Sequence, residues 1–209
     1  MRNKVLPRSF YERNTLTVAQ DLLGKILVRR VDALTLTGRI VETEAYRGAD
    51  DPASHAYRGR TKRNAVMFGD AGVAYIYLVY GLNFCLNTTT ERVGKAGAVL
   101  IRAIEPLHGL ETMLKNRPAA IRQITSLTNG PGKLCQAMRI TQDLNGIDLT
   151  VNSELTICEG DSRVPFSLKA TSRVGVRKAF RRRWRYFAND NQFVSRNWVA
   201  HSPICGKVD

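Results

Sequence analysis

The spacing of hydrophobic and polar residues predicts short strands with a few helices between them. We expect a helix over residues 17–23, with Thr17 as its N-cap and Gly24 just past its end. Strands are expected over residues 25–30 and, after a turn, roughly 36–46.

Side chains of the second strand should alternate between its two faces. Glu42 and Glu44 are therefore expected on the same face as Tyr46. The opposite face would carry Val41, Thr43 and Ala45.

A long polar loop and a hairpin are expected next. Residues 47–70 are rich in Gly, Asp and Arg, and long loops in compact domains are often functional. Residues 73–79 and 82–88 are dense in aromatic and β-branched residues, so they predict a protruding β-hairpin with Tyr80 near its tip.

The second half of the chain carries further elements, among them a buried strand that contains Arg102. Strand signal lies at 98–104, 149–158 and 185–187, and helices are expected at 105–115 and 134–138. Strands and helices do not alternate regularly. The expected fold class is therefore α+β, a single domain over residues 1–209 around a mostly antiparallel β-sheet.

Composition excludes several classes of protein. The 209 residues are 44% hydrophobic and 24% charged, which is typical of a globular chain and not of a disordered one. We expect no membrane span and no secretory signal. Four cysteines without a CxxC pair should be reduced and mostly buried. These features favour a cytoplasmic, bacterial and nucleoid-associated protein over a nuclear one.

The net charge is the compositional feature that says most about a binding partner. The net charge of +14 favours a polyanionic partner, most often nucleic acid, although a basic enzyme surface is the alternative. Residues 173–185 hold seven basic residues and no acid, so they form either a phosphate-binding run or a solvated loop. The expected phosphate contacts are Lys133, Arg173, Arg177 and Lys178.

Two groups of side chains could carry chemistry. Glu42 and Glu44 are either a buried general base and its neighbour or exposed partners of basic residues. Together with Asp50 and Asp51 they could instead hold Mg²⁺. The second group is aromatic and could stack on an extruded nucleobase or simply form core and surface; it comprises Tyr46, His55, Tyr75, Tyr77 and Tyr80.

Motifs throughout the chain resemble the alkyladenine (3-methyladenine) DNA glycosylase family. The matching stretches are 8–28, 38–59 with VETEAY and a spaced histidine, 60–87 with YIYLVYG, 100–113, 130–138 and 172–176. The resemblance implies a monofunctional, monomeric enzyme without cofactor or metal. Such an enzyme flips and hydrolytically excises alkylated or deaminated purines from double-stranded DNA, among them 3-methyladenine, 7-methylguanine, hypoxanthine and ethenoadenine.

The resemblance also implies residue roles. Glu44 is expected to be the general base that activates water, with Arg102 and the main chain at Val174 holding that water. The flipped base would lie between Tyr46, His55 and Tyr77, while Tyr80 would intercalate into the duplex. The remaining base contacts would be Asn87 at the cavity floor, which disfavours the amino group of guanine, and Leu100 and Met67.

Two other functions remain open from the residues alone. A non-catalytic nucleic-acid-binding module would use the same basic and aromatic surface. A metal-dependent nuclease would use the acidic cluster and would stop when a chelator is added, whereas a glycosylase would continue.

Overall fold

One sheet runs through the chain, and every described strand pairing in it is antiparallel. The computed structural model describes residues 4–79, 81–161 and 167–195. The strands are β1 (Ile26–Val31), β2 (Leu34–Arg47), β3 (Ala74–Val79), β4 (Asn83–Thr89), β5 (Gly97–His108), β6 (Leu155–Cys158), β7 (Leu168–Thr171) and β8 (Arg185–Ala188). Their order is β3-β4-β5-β2-β1-β6, and β8 pairs with β2 and β7. The expected α+β fold around an antiparallel sheet is confirmed.

Short helices cover the sheet. They are α1 (Arg8–Tyr11), α2 (Thr15–Asp21), α3 (Leu110–Asn116) and α4 (Pro131–Ala137), with 3₁₀ turns at Ala65–Phe68, Pro118–Ala120, Ile124–Ser126 and Gln142–Leu144. Their apolar sides share the main core with the sheet, as Val18 of α2 and Leu134 of α4 illustrate. No helix among the described residues is long and apolar enough to cross a membrane.

The long strand β2 lies inside the sheet along most of its length. β5 flanks one side, while β1 and then β8 flank the other. Glu44 is thereby placed opposite Leu100 on β5 and opposite Arg185 on β8, and its exposed fraction is 0%. A carboxylate in this position can be stable only if the protein supplies donors for it.

A paired irregularity shifts the alternation of β2 just before this carboxylate. Ile40 pairs with Ile104 and Glu42 with Ala103, so Val41 is an extra residue on β2. Thr43 then pairs with Ile101, which makes Arg102 an extra residue on β5. Such bulges re-aim side chains.

The shift explains how the core and the carboxylates coexist. Ile40 and Ala45, an odd number of residues apart, both enter the main core. Glu42, Glu44 and Tyr46 still meet on the other side, as predicted, since Arg102 contacts both carboxylates and Tyr46 reaches Glu44.

Helix α2 begins two residues earlier than expected. Its N-cap is Asn14, whose side chain accepts a hydrogen bond from the Leu16 N–H, so the assignment of Thr17 as N-cap is wrong. Gly24 does follow the helix, with a φ of +81° that suits glycine.

The expected helix at 105–115 is wrong in its first half. β5 continues to His108 because β2 offers backbone partners there, with Glu105 paired to Arg39 and Pro106 to Gly38. Helix α3 starts only after Gly109, whose φ is +80°. Two further boundaries differ, since the strand expected at 149–158 forms only as β6 and the helix expected at 134 begins at Pro131.

The hairpin of β3 and β4 extends past the sheet. β5 pairs with β4 only at residues 87–89, so the distal part of the hairpin has no neighbouring strand there. Leu78 is 42% exposed and Leu82 is 79% exposed near its end. Tyr80, the expected tip, lies outside the described residues. The described cysteines, Cys85, Cys135 and Cys158, are buried and free, as predicted.

Candidate active site

A cavity of about 530 Å³ opens between the hairpin, the middle of the sheet and residues 174–176. Its volume lies in the range of small-molecule sites. Eight residues predicted for the site line it: Tyr46, His55, Met67, Tyr77, Asn87, Leu100, Arg102 and Val174. These residues come from β2, the loop after it, β3, β4, β5 and the segment after β7, so only the fold brings them together.

Glu44 lies behind the wall of the cavity and is held by groups that form that wall. One carboxylate oxygen accepts a hydrogen bond from the Tyr46 hydroxyl at 2.7 Å, and the other accepts one from the Val174 N–H at 2.7 Å. Arg102 Nη1 lies 3.4 Å from the same oxygen as Val174. A carboxylate offers about four lone-pair positions, so Glu44 keeps capacity to accept a proton from a water molecule.

Glu42 is equally buried but differently held. Its carboxylate accepts hydrogen bonds from Arg102 at 2.8 Å, from Arg185 at 2.6 Å, and from both the N–H and the hydroxyl of Ser195 at 2.7 Å each. Burial alone would raise the pKa of Glu42, but the two guanidinium groups outweigh it and lower that pKa. Glu42 is therefore a fixed anion. The alternative prediction, that Glu42 and Glu44 are exposed partners of basic residues, is wrong.

Aromatic rings form the outer walls. The His55 and Tyr77 rings meet with centroids 4.6 Å apart, and His55 Nδ1 lies 2.9 Å from the Tyr75 hydroxyl. Desolvation and the nearby charge of Arg63 lower the pKa of His55, which favours a neutral imidazole at pH 7. Asn64 holds this loop in place by donating to the carbonyl of His55 at 2.9 Å.

The predicted phosphate contact of Arg173 is wrong. Its guanidinium is buried, binds both oxygens of Asp51 at 2.6 and 2.7 Å, and lies between the rings of Tyr46 and Trp184 at 4.6 and 5.2 Å from their centroids. A side chain enclosed in this way cannot reach a phosphate. It supports the back of the Tyr46 ring instead.

The ion pair between Arg173 and Asp51 weakens the hypothesis that an acidic cluster holds Mg²⁺. Arg173 takes up the carboxylate of Asp51, whereas Asp50 points to Arg47 at 3.2 Å on the surface. Within the part of the chain that the structure describes, no three His, Cys, Asp or Glu side chains form a group that could hold a metal ion.

The cavity floor combines one amide with apolar side chains. Asn87 is 2% exposed and donates its amide N–H to the Tyr75 carbonyl at 3.0 Å, so its amide oxygen is the side that can face a ligand. Leu100 pairs with Asn87 across the strands. Met67 belongs to a small buried cluster with Tyr75 and Ala98 and lines the same cavity. Burial raises the pKa of Cys85, another lining residue, to about 11, so its thiol stays protonated.

The basic residues of the run 173–185 fall into a buried group and an exposed group. Arg173 and Arg185 are buried, while Arg177, Lys178, Arg181 and Arg183 are exposed. Lys133 is half-buried and donates to Asn129 at 2.7 Å.

Sequence reasoning missed some functional side chains. Arg63 lines the cavity with its guanidinium 5.4 Å from the Tyr77 ring centroid, and the basic stretch 60–63 was a usable signal. Trp184, Arg185 and Ser195 support the site from far along the chain, and no local pattern marks them.

Comparisons with known proteins agree on one family. A model described as Methylpurine-DNA glycosylase (MPG) matches residues 9–192. The chain is 46% identical over 203 residues to a Clostridium perfringens protein named "Putative 3-methyladenine DNA glycosylase", covering 91% of this chain and 98% of that one. A Methanocella arvoryzae protein of the same name is 49% identical over 195 residues, covering 92% and 96% of the two chains.

Asp51→Asn should destabilise the protein strongly, because it leaves the buried charge of Arg173 without its counterion. Removing one partner of a buried ion pair costs about 3–5 kcal/mol. Denaturant unfolding measures this. Asp50→Asn is the matched control, since its exposed pair should contribute at most about 1 kcal/mol. Equal losses in the two variants would contradict the assignment.

Proposed function

The chain belongs to the methylpurine-DNA glycosylase family, and we propose that it flips damaged purines into the cavity and hydrolyses their N-glycosidic bond with Glu44 as general base. The family makes it a DNA-repair enzyme, an N-glycosyl hydrolase that acts on methylated purines. The proposal adds base flipping, hypoxanthine and ethenoadenine as further substrates, and a role for each residue of the site.

The observation that carries this proposal is the set of donors that converge on Glu44 behind an aromatic cavity. Tyr46, Val174 and Arg102 fix the carboxylate so that a free lone pair can meet a water molecule at the cavity wall. Water would attack C1′ of the deoxyribose as the C1′–N bond breaks, and Glu44 would take the water proton. The products are the free purine and an abasic site.

The cavity walls suit a cationic lesion. Alkylation at N3 or N7 leaves a positively charged purine, which departs as a neutral base without prior protonation. Electron-rich rings favour such a cation, and Tyr46, His55 and Tyr77 supply them. The neutral state of His55 avoids a repulsive charge. A neutral purine such as hypoxanthine needs hydrogen bonds from the cavity in addition.

The floor offers a basis for rejecting guanine. Asn87, Leu100 and Met67 line the cavity, and their bulk at its floor would leave no room for the exocyclic amino group that guanine carries and hypoxanthine lacks. Flipping a nucleotide costs a few kcal/mol and least for weakened pairs, which adds selectivity for damage. No lysine lines the cavity among the described residues, and this favours a monofunctional enzyme without a Schiff-base step.

Exposed and half-buried basic residues are proposed to contact DNA phosphates. The set is Lys133, Arg177, Lys178, Arg181, Arg182 and Arg183. The hairpin end would enter the duplex with Tyr80 as its wedge, and the exposure of the flanking Leu78 and Leu82 supports this. The proposed enzyme acts as a monomer. Relatives from bacteria and archaea support a cytoplasmic location over a nuclear one.

Glu44→Gln should lower the single-turnover excision rate by about 10²–10⁴-fold, because the amide keeps the shape but cannot accept the proton. Affinity for lesion DNA should change by only a few-fold. Excision by gel assay after alkali cleavage measures the rate. Glu105→Gln, a carboxylate on β5 paired with Arg39, is the control and should retain activity. Near wild-type excision by Glu44→Gln, or loss of activity with a chelator, would overturn the proposal.

DNA affinity should depend steeply on salt. If six phosphates are neutralised, the logarithm of the association constant should fall with a slope of about −5 against the logarithm of the salt concentration. The double variant Arg177→Ala/Lys178→Ala should make the slope shallower by about 2. A wild-type slope shallower than about −2 would mean that the basic run does not touch DNA.

Tyr80→Ala should weaken lesion-duplex binding by about 5- to 150-fold, because stacking contributes roughly 1–3 kcal/mol per base. Affinity for a single-stranded lesion oligonucleotide should change less, since no stack is opened there. If Tyr80 were a core residue, alanine would instead cost about 3–5 kcal/mol of stability. A sharply lower melting temperature with intact duplex affinity would refute the wedge role.

A further inference from the structure

We propose that Glu42 and Arg185 are positioning residues that set how strongly Arg102 attracts Glu44, and so tune Glu44 as a base. This inference rests on the proposed function of Glu44. Neither residue touches the cavity, so neither is a catalytic residue in itself. Their influence would pass through the Arg102 guanidinium.

Arg102 is shared between the two carboxylates. Its Nε lies 2.8 Å from a Glu42 oxygen, and its Nη1 lies 3.4 Å from a Glu44 oxygen. The contact to Glu42 is the shorter one and forms a hydrogen bond, whereas the contact to Glu44 is longer than a charged hydrogen bond usually is. Glu42 therefore competes with Glu44 for the same cation.

Arg185 balances Glu42 from the other side. Its Nε donates to the same Glu42 oxygen at 2.6 Å, and its Nη2 donates to the Ser195 carbonyl at 2.9 Å. Ser195 in turn donates to Glu42 through its N–H and its hydroxyl. Each of these donors reduces the charge with which Glu42 can attract Arg102.

The irregular pairing of β2 and β5 lets both carboxylates contact Arg102. Arg102 is the extra residue of β5 in the paired irregularity, and Val41 is the extra residue of β2 beside it. Without that irregularity, the regular alternation of the two strands would not hold both carboxylates against one guanidinium. Two carboxylates and two guanidinium groups lie together here with exposed fractions of 7% or less, so each charge is felt strongly by the others.

Other groups around Glu44 stay the same in the variants that test this. Tyr46 and Val174 hold the carboxylate from β2 and from the segment after β7. Tyr77 and Cys85 face it from the hairpin, and Arg173 lies on the far side of Tyr46. Of these groups around Glu44, Arg102 is the charged one that also contacts Glu42 in the described part of the chain, while Arg185 contacts Glu42 from the other side.

The test is the pH dependence of single-turnover excision from a lesion duplex. In Glu42→Gln, Arg102 loses its ion pair with Glu42 and is attracted by Glu44 alone. Glu44 then becomes a weaker base. The acidic limb of the profile should move to lower pH by roughly one unit, with a plateau rate about three- to tenfold lower. In Arg185→Gln, Glu42 attracts Arg102 more strongly, and the limb should move to higher pH.

The matched control is Glu91→Gln. Glu91 is also a buried carboxylate, held by Thr15 and Lys95, but it lies away from the cavity. Its loss should reduce stability and leave the acidic limb in place. If Glu42 had only a structural role, Glu42→Gln would also leave the acidic limb in place, and that result would overturn the inference. Shifts of the same sign in Glu42→Gln and Arg185→Gln would overturn it as well.

A milder variant keeps the test decisive if Glu42→Gln or Arg185→Gln does not fold. Ser195→Ala removes a 2.7 Å hydrogen bond to Glu42 and a longer one of 3.4 Å from Arg102. Because the bond to Glu42 is the shorter one, the limb should move in the same direction as in Arg185→Gln, by a smaller amount. An unmoved limb there would also overturn the inference. Wild-type protein without any excision would instead reject the proposed function, which keeps the two failures distinct.

Discussion

The central physical constraint on this molecule is the burial of ionic side chains in the middle of an antiparallel sheet. Glu42 and Glu44 have no exposed surface, and an unpaired buried carboxylate would cost several kcal/mol. The chain meets this constraint with Arg102 from the neighbouring strand and Arg185 from a short strand far along the sequence. The irregular pairing of β2 and β5 and the position of β8 bring those cations to the carboxylates.

A second buried ion pair fixes the side of the cavity. Arg173 clamps Asp51 and is enclosed by the rings of Tyr46 and Trp184. It thereby joins the start of the long loop to the segment that contains Val174. Tyr46 is held on one face by Arg173 and through its hydroxyl by Glu44, so the ring and the carboxylate are oriented as one unit. Burial and the adjacent Glu44 charge raise the pKa of Tyr46, which keeps its hydroxyl a donor.

Stable supports therefore surround a site whose own walls are aromatic and open. The loop that carries His55 is long, yet Asp51 binds its backbone at the start and Asn64 binds it in the middle, at His55 and Gly59. The hairpin that carries Tyr77 is anchored by β5 only at its base. This division suits the proposed function, in which the general base would stay fixed while a large part of the binding surface meets a duplex.

Elements with strong local patterns and eight of the residues that line the cavity could be predicted from the sequence. The alternation in β2 put Glu42, Glu44 and Tyr46 together, and the family motifs identified those eight residues. Local pattern could not predict that β5 continues through Pro106, because that depends on backbone partners in β2. It also could not separate Arg173 and Arg185, which are buried, from Arg177 and Lys178, which are exposed. The density of charged residues along the chain is the same around the buried and the exposed basic residues. Whether an arginine binds an internal carboxylate or faces solvent depends on Asp51 and Glu42, more than 120 residues away, and only the tertiary structure brings them together.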